Sequence, residues 1–329
     1  MVIGGTAMFM KRALIGVAAF AFFATEAGAA DMAPIYKAMP QAAPQPVSGY
    51  VELSSGWGRS EYSDPFNKDS YDGWVLGGAA RGTYWWSRNA TVQLDAQGEG
   101  TSFRIPEGAG GHMSEHGYLV GAHASWRDAR YLWGVFGAAG DTTGLTPLLA
   151  GMSSASSVRH GLVGLEGQAY LGPLTLYGQV GYDTSVGSPL FGNTDSVHAW
   201  FVRGTGRYNV TPNTRLEGTV LYANGKIDAV SSVVLPGGSF DIWVARAKVE
   251  HKLTNSPFSI FAAYDWARTT YDHGFLSNSR FDVTNQKLVG GVRLYLNEGT
   301  LQWNDNKGTT LDIIDVLRLA PFGYSSRVQ

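Results

Sequence analysis

The chain has 329 residues, of which 44% are hydrophobic, 12% aromatic and only 16% charged, and its formal net charge is −2. The lack of cysteine excludes a disulfide scaffold, a cysteine-ligated zinc site and a thiol nucleophile, and the balanced charge gives no electrostatic footprint for nucleic acid. No apolar run approaches about 20 residues, which excludes a helical membrane bundle. A large soluble β-protein and a membrane β-barrel both fit what remains.

Residues 1–29 have the features of a secretory signal peptide. Lys11 and Arg12 precede an apolar stretch over residues 13–24, and the small residues 27–29 form a cleavage site. The stretch is too short to cross a bilayer as a helix. Residues 30–48 contain four prolines, so we expect an irregular periplasmic leader.

From Gly49 onward, apolar and polar residues alternate in short segments, the pattern of β-strands with two different faces. Val202 and Tyr208, for example, alternate with Arg203 and Arg207. The pattern predicts twelve strands: 49–57, 74–85, 90–99, 118–126, 131–139, 160–171, 174–183, 198–209, 214–223, 241–252, 258–271 and 283–296.

The predicted connections alternate between long and short along the chain. The short ones, rich in Pro, Asn, Asp and Gly as tight turns are, lie at 87–89, 128–129, 172–173, 211–213 and 254–257. The long ones cover about 58–73, 100–117, 140–159, 184–197, 224–240 and 272–282. Together with aromatic residues at strand ends, this is typical of a transmembrane barrel with long extracellular loops and short periplasmic turns. We expect a closed antiparallel up-and-down barrel of about twelve strands over 49–297, with ten or fourteen as alternatives.

Three segments resemble outer-membrane β-barrel proteins of Gram-negative, alphaproteobacterial type and of the porin-like class. They are the Ala29-Ala30-Asp31 junction, the Ala-Pro-Ile-Tyr-Lys leader at 33–37, and the Tyr-Asn-Val-Thr-Pro-Asn-Thr-Arg-Leu-Glu turn at 208–217. The resemblance covers essentially the whole mature chain. It implies the outer membrane as location and lipid, lipopolysaccharide, the assembly machinery and small solutes as partners.

Chains of this class commonly end on an aromatic residue of the last strand, whereas about 33 residues follow Leu296 here. We predict that residues 298–329 form a periplasmic tail. Thr310 is a suitable N-cap for a short helix that ends before Pro321, and a hairpin around 304–308 is the alternative.

Polar residues of the alternation are predicted to line the barrel interior. Two interpretations stay open: a water-filled channel for small polar solutes, and an ion-pair network that fills the interior. The apolar residues Leu145, Leu148 and Leu149 in loop 140–159 form a possible constriction, with packing against neighbouring loops as the alternative. The pore-lining candidates are Arg81, Asp95, Glu99, Glu166, Asp183, Arg203, Arg207, Arg215, Glu217, Arg246, Lys248, Glu250, Lys287 and Arg293.

Three short patterns are reminiscent of enzymes. Residues 112–116 match the zinc motif H-x-x-E-H, but no helical periodicity surrounds them. His123 and Ser125 resemble a pair of barrel phospholipases, and Asp272 with His273 lies where an omptin-like protease holds its catalytic groups. None is specific, so we expect no enzymatic activity, metal or cofactor. We predict a passive channel or an envelope-stabilising barrel, with a barrel-embedded hydrolase and a non-conducting adhesin or structural barrel as alternatives.

Overall fold

The computed structural model describes residues 47–63, 68–104, 112–148, 152–187, 196–227, 238–272, 280–297 and 299–314. The strands in these residues form one antiparallel sheet, which closes where β1 pairs with β12. The predicted closed barrel of twelve strands is confirmed. The strands are β1 (Val47–Ser63), β2 (Lys68–Trp85), β3 (Ala90–Arg104), β4 (His112–Arg127), β5 (Tyr131–Leu148), β6 (Met152–Leu171), β7 (Leu174–Gly187), β8 (Ser196–Thr211), β9 (Thr214–Ile227), β10 (Gly238–Lys252), β11 (Phe258–Asp272) and β12 (Arg280–Tyr295).

Closure gives every strand two neighbours. Tyr50 of β1 lies opposite Tyr295 of β12 on one side and opposite Arg81 of β2 on the other. A closed sheet leaves no edge with unpaired backbone groups, which is what a sheet surrounded by hydrocarbon requires. The predicted signal peptide and nearly all of the predicted leader lie outside the described residues, and β1 starts at Val47, two residues before its predicted start.

One end of the barrel, here called the short-turn end, carries the connections at 86–89, 128–130, 172–173, 212–213 and 253–257. The Asp128 carboxylate accepts hydrogen bonds from the backbone N–H groups of Arg130 and Tyr131 at 2.6 and 2.7 Å, and these bonds lower its pKa. Gly172 has φ +66°, where a residue without a Cβ is favoured. Hydrogen bonds within the turns and a glycine with positive φ therefore explain why the connections at this end are short.

At the opposite end the strands extend well beyond their predicted ends. β5 and β6 run over 18 and 20 residues, and their pairing continues to Leu148 opposite Met152. Residues 140–148 and 152–159 are thus strand rather than loop, because their backbone groups pair with each other. Leu145 lies opposite Ala155 in this hairpin, and Leu149 of the predicted constriction lies outside the described residues.

The two faces of the sheet differ sharply along every strand. On β4, Tyr118, Val120 and Trp126 are exposed on the outer face, whereas Leu119 and His123 are buried inside. No helix in the described part of the chain has the length and apolarity that a membrane crossing demands.

Beyond β12 the chain turns back across the short-turn end. Helix α1 (Leu301–Lys307) begins after Thr300, whose side chain accepts a hydrogen bond from the N–H of Trp303 at 3.1 Å. Residues 310–314 are not helical. The helix predicted to start at Thr310 is therefore wrong, and so is the hairpin at 304–308, because Thr300 caps a helix there and the barrel wall binds the backbone beyond it.

Candidate functional site

Residues 299–314, which we call the C-terminal segment, occupy the interior of the barrel from the short-turn end inward. Leu301 of α1 is fully buried and packs with Tyr50 and Tyr295. The backbone N–H of Gln302 donates to the carbonyl of Pro212 at 3.1 Å, in the turn between β8 and β9. The sequence had assigned these residues to a tail beyond the barrel, whereas the structure places α1 across its mouth.

Asp305 fixes α1 to the inner wall. Its carboxylate accepts hydrogen bonds from Arg215 at 2.5 Å and from Asn209 at 3.2 Å. Arg215 also donates to Glu250 at 2.7 Å, so one guanidinium links α1 to β10. Charge-assisted hydrogen bonds of this kind are about twice as strong as neutral ones.

Past α1, the backbone of the C-terminal segment is bound by side chains of the inner wall. Gln93 contacts Leu311 through both parts of its amide: Nε2 donates to the carbonyl at 2.7 Å, and Oε1 accepts from the N–H at 3.3 Å. Further carbonyls accept from Trp85 (to Lys307, 3.2 Å), Arg127 (to Gly308, 3.1 Å), Arg207 (to Thr310, 2.8 Å), Gln179 (to Asp312, 2.9 Å) and Gln97 (to Ile314, 3.0 Å).

Asp312 lies among three guanidinium groups. Arg203 contacts both carboxylate oxygens, at 2.7 and 2.8 Å, and Arg81 and Arg207 each lie 3.7 Å from Oδ2. Burial by itself raises the pKa of the Asp312 carboxyl, but the three positive charges outweigh burial and hold the pKa below its ordinary value. Asp312 is therefore an ionised anchor at neutral pH.

The apolar side chains of the segment also find partners inside the barrel. Ile313 and Ile314 join an apolar cluster with Leu119, Phe136 and Phe201. Burying each isoleucine contributes roughly 1.5–3 kcal/mol. A Cβ placed on Gly121 would lie 2.8 Å from Cγ2 of Ile313, so glycine leaves the room that this side chain needs.

That apolar cluster continues away from the segment, toward the opposite end of the barrel. Its members lie on the inward face, where the alternation predicted polar residues, and the larger ones are almost fully buried. They include Leu119, Phe136, Leu162, Phe201, Leu221, Phe240, Ile242 and Val283. The interior thus combines charged side chains around the C-terminal segment with an apolar cluster beyond Ile313, and buried polar residues such as His160 and Asp183 accompany that cluster.

All fourteen predicted pore-lining residues occupy inward-facing positions, and in the described part of the chain each has an ionic or hydrogen-bonding partner. Several of them line two partly open cavities beside the segment, of about 140 and 50 Å³, which are large enough to hold water. The pairs are Arg81–Asp95, Lys287–Glu99, His123–Glu166, His160–Asp183, Arg203–Asp312, Arg207–Glu217, Arg215–Glu250, Arg246–Asp265, Lys248–Glu52 and Arg293–Glu250.

Two buried histidines join these contacts. His123 lies 2.8 Å from Glu166 and 3.3 Å from Asp95. His160 lies between Thr142, 3.1 Å from Nε2, and Asp183, 2.8 Å from Nδ1. The second arrangement has the order of hydroxyl, base and acid found in hydrolases, but all three side chains are buried.

The enzyme-like patterns of the sequence fall on strands. Residues 112–116 belong to β4, where Glu115 is buried inside and His116 is exposed outside, so they do not share a face as on a helix. Ser125 faces inward and lies 2.6 Å from Thr91. Asp272 is the last residue of β11, and His273 lies outside the described residues.

No known protein family and no curated protein matches the chain in sequence. Solved structures similar to it include the translocator domain of the autotransporter NalP from Neisseria meningitidis, at 12% identity over 77% of this chain and 90% of that one, with a TM-score of 0.48. The β domain of the Bordetella autotransporter BrkA is 14% identical, over 76% and 99% of the two chains, with a TM-score of 0.43. The Pseudomonas putida toluene transporter TodX is 10% identical, over 77% and 90%, with a TM-score of 0.40. The likeness is one of fold.

Proposed function

We propose that the protein is an integral barrel of the Gram-negative outer membrane whose lumen is closed by its own C-terminal segment. Membrane insertion is supported by the outer face. Trp74 and Tyr84 are exposed ten residues apart on β2, and Tyr118 and Trp126 eight apart on β4. At ~3.3 Å per residue and a tilt of about 40°, these spacings correspond to roughly 20–25 Å along the barrel axis, near the ~25 Å apolar band of outer-membrane barrels.

Trp74 and Tyr118 belong to one ring of exposed aromatic residues, and Tyr84 and Trp126 to a second; we call these rings the two aromatic girdles. Between them the outer face is apolar. Leu94, Val120, Val135, Leu165 and Val202 are all exposed there. Exposed apolar residues in a continuous band are costly in water and favourable in hydrocarbon. We expect lipid and lipopolysaccharide as the surrounding partners, with export directed by residues 1–29 and insertion by the assembly machinery.

Closure of the lumen rests on one observation, the position of the C-terminal segment. Its backbone and the Asp305 and Asp312 carboxylates contact inward-facing side chains of several strands. A channel open to small polar solutes requires a continuous wet path, and this segment occupies the part of the lumen where charged side chains would line such a path. In the described state the barrel is therefore a non-conducting element that stabilises the envelope.

A gated channel is the second candidate, because the hydrogen bonds and ion pairs of the segment are contacts that water can replace. Release of residues 299–314 would expose Arg203, Arg207 and Arg215 to the lumen. Small polar solutes would then pass along a wall of mixed charge. We propose no enzymatic activity, since the hydroxyl of Thr142 beside His160 is buried.

Planar-bilayer recording tests the proposal with two proteins. The intact chain is expected to give no conductance steps. The double variant Asp305→Ala, Asp312→Ala loses both carboxylate anchors of the segment and is expected to give intermittent steps. Sustained conductance by the intact chain contradicts closure, and silence of both proteins contradicts the gated channel while leaving the closed barrel.

A further inference from the structure

The barrel holds residues 308–314 by side-chain donors of its inner wall rather than by pairing with a strand edge. Carbonyls at 308, 310, 311, 312 and 314 each accept a hydrogen bond from an arginine or glutamine side chain of the wall. Because every peptide carries these carbonyls, such donors bind an extended backbone whatever its side chains are. The inner wall thus has the chemistry of a peptide-binding groove.

Three positions add selectivity. The site of Asp312 lies among three guanidinium groups, so it favours a carboxylate. Leu311 packs with Leu132 and Tyr177, and Ile313 packs in the apolar cluster. A neutral or basic side chain at 312, or a polar one at 313, would leave buried groups without partners, which costs free energy.

Two of the donors, Gln93 and Arg207, are also held in place independently of the segment. Gln93 accepts from Thr83 at 3.0 Å and donates to Asp95 at 2.6 Å, and Arg207 donates to Glu217 at 3.0 Å. Side chains fixed in this way lose little entropy when a ligand binds, which favours affinity. The groove is therefore built into the closed sheet.

We propose that this groove binds extended peptides from outside the chain when they carry an apolar–Asp–apolar–apolar pattern like that of Leu311–Ile314. The inference rests on the proposed closure, since the chain's own segment is the occupant that such a peptide replaces. The ligand class is an unstructured polypeptide segment with one acidic residue among aliphatic ones, which enters at the short-turn end when the chain's own segment is displaced.

Exchange of the segment in the folded chain tests this. A protease recognition sequence inserted between Asn297 and Gly299 lets the full chain fold before it is cut. A synthetic copy of residues 299–314 with a dye on its amino terminus is then added, and fluorescence anisotropy is followed. Saturable binding to the cut protein is expected, with weaker binding to the uncut protein, because its own tethered segment competes with the peptide for the groove.

Matched peptides make the test specific. An Asp312→Asn peptide is expected to bind at least about tenfold more weakly, the lower limit for losing a hydrogen-bonded charge. An Asn306→Ala peptide, changed at a partly exposed position of α1, is expected to bind within about twofold of the unmodified one. Failure of the copy to exchange, or equal binding of all three peptides, overturns the proposal.

A second protein covers the case in which the insertion prevents folding. The uncut Asp305→Ala, Asp312→Ala variant holds its own segment weakly, so the same labelled peptide is expected to bind it saturably, and absence of binding also counts against the groove. The two proposals fail in different experiments. If the lumen is not closed, the intact chain conducts without any peptide; if the groove does not bind peptides, the labelled peptide does not bind.

Discussion

Arg203 of β8 and Asp312 of the C-terminal segment form a double contact, with Nη1 2.7 Å from Oδ1 and Nη2 donating to Oδ2 at 2.8 Å. Both side chains are largely buried, and the two residues are far apart in the sequence. A planar guanidinium facing a carboxylate in this way fixes direction as well as distance. The contact therefore sets where the segment sits inside the barrel.

Loss of this carboxylate should loosen the segment. Asp312→Ala is expected to weaken its docking by about 2–3 kcal/mol, because three guanidinium groups lose their common partner. Hydrogen–deuterium exchange of the Leu311 amide is then expected to be roughly 30- to 150-fold faster. Asp72→Ala, which removes an exposed carboxylate on the outer face, serves as the control, and equal exchange in both variants would refute the anchor.

The space beside Gly121 gives a steric prediction. A methyl group at this position meets Cγ2 of Ile313 at 2.8 Å, so Gly121→Ala is expected to destabilise the folded protein by about 1–3 kcal/mol. The measurement is the midpoint of heat-induced unfolding in detergent. Gly204→Ala, where a Cβ meets no atom within 4 Å, should leave the midpoint unchanged.

Adding Ile313→Ala to the Gly121→Ala variant removes one side of that clash. Part of the lost stability should return, although the methyl group still meets the wall at Ala138. A double variant no more stable than Gly121→Ala would show that the strain lies within the sheet instead.

If the apolar band of the outer face lies in lipid, the free-energy cost of placing a charge on it should depend on the depth of the residue in the membrane. Leu94→Arg places a charge midway between the aromatic girdles and should cost about 2–4 kcal/mol on refolding into vesicles. Val210→Arg, near the short-turn end, should cost only about 0–1 kcal/mol. Both leucine and valine are exposed in the wild-type barrel, so equal costs would argue against a membrane around it.

Acid should release the segment. The pKa of Asp312 is lower in the folded protein than in the unfolded chain. The ionised carboxylate therefore contributes its full docking free energy above its ordinary pKa of about 4. This contribution is lost as the pH falls toward the lowered pKa. The charged groups that face it are Arg203, Arg81 and Arg207. Protease sensitivity of the segment should rise between about pH 4 and pH 2.

Asp312→Asn separates this titration from that of other carboxylates. The variant should be more sensitive to protease at neutral pH and show a smaller further change on acidification. An unchanged acid response in Asp312→Asn would show that Asp312 is not the group whose protonation releases the segment.

Much of the barrel could be predicted from local sequence. The alternation of Val202 and Tyr208 with Arg203 and Arg207 sets the two faces of β8, because side chains of a strand point alternately to either side. Turn residues such as Gly172 marked the short connections. The strand ends were missed because polar and small residues beyond the girdles, as around Leu145, look like loops while they still pair.

The interior could not be predicted in the same way. Leu311, Ile313 and Ile314 form an apolar run around Asp312, and such a run beyond the last strand was the available signal for a buried segment. Its partners, however, lie on strands far away in sequence, so no local pattern specifies them. The inward-facing Phe136 and Phe201 were missed for a related reason: an interior filled with protein has no need of polar walls.

A disulfide between the segment and the wall tests closure most directly, and the natural chain offers a background without cysteine. Cysteines at 121 and 313, introduced as Gly121→Cys and Ile313→Cys, are expected to cross-link nearly completely under mild oxidation in the folded chain, seen as a shift in gel mobility. Cysteines at 204 and 313 should not cross-link, because position 204 faces outward. Absence of the 121–313 cross-link in the folded barrel would contradict a lumen closed by residues 299–314.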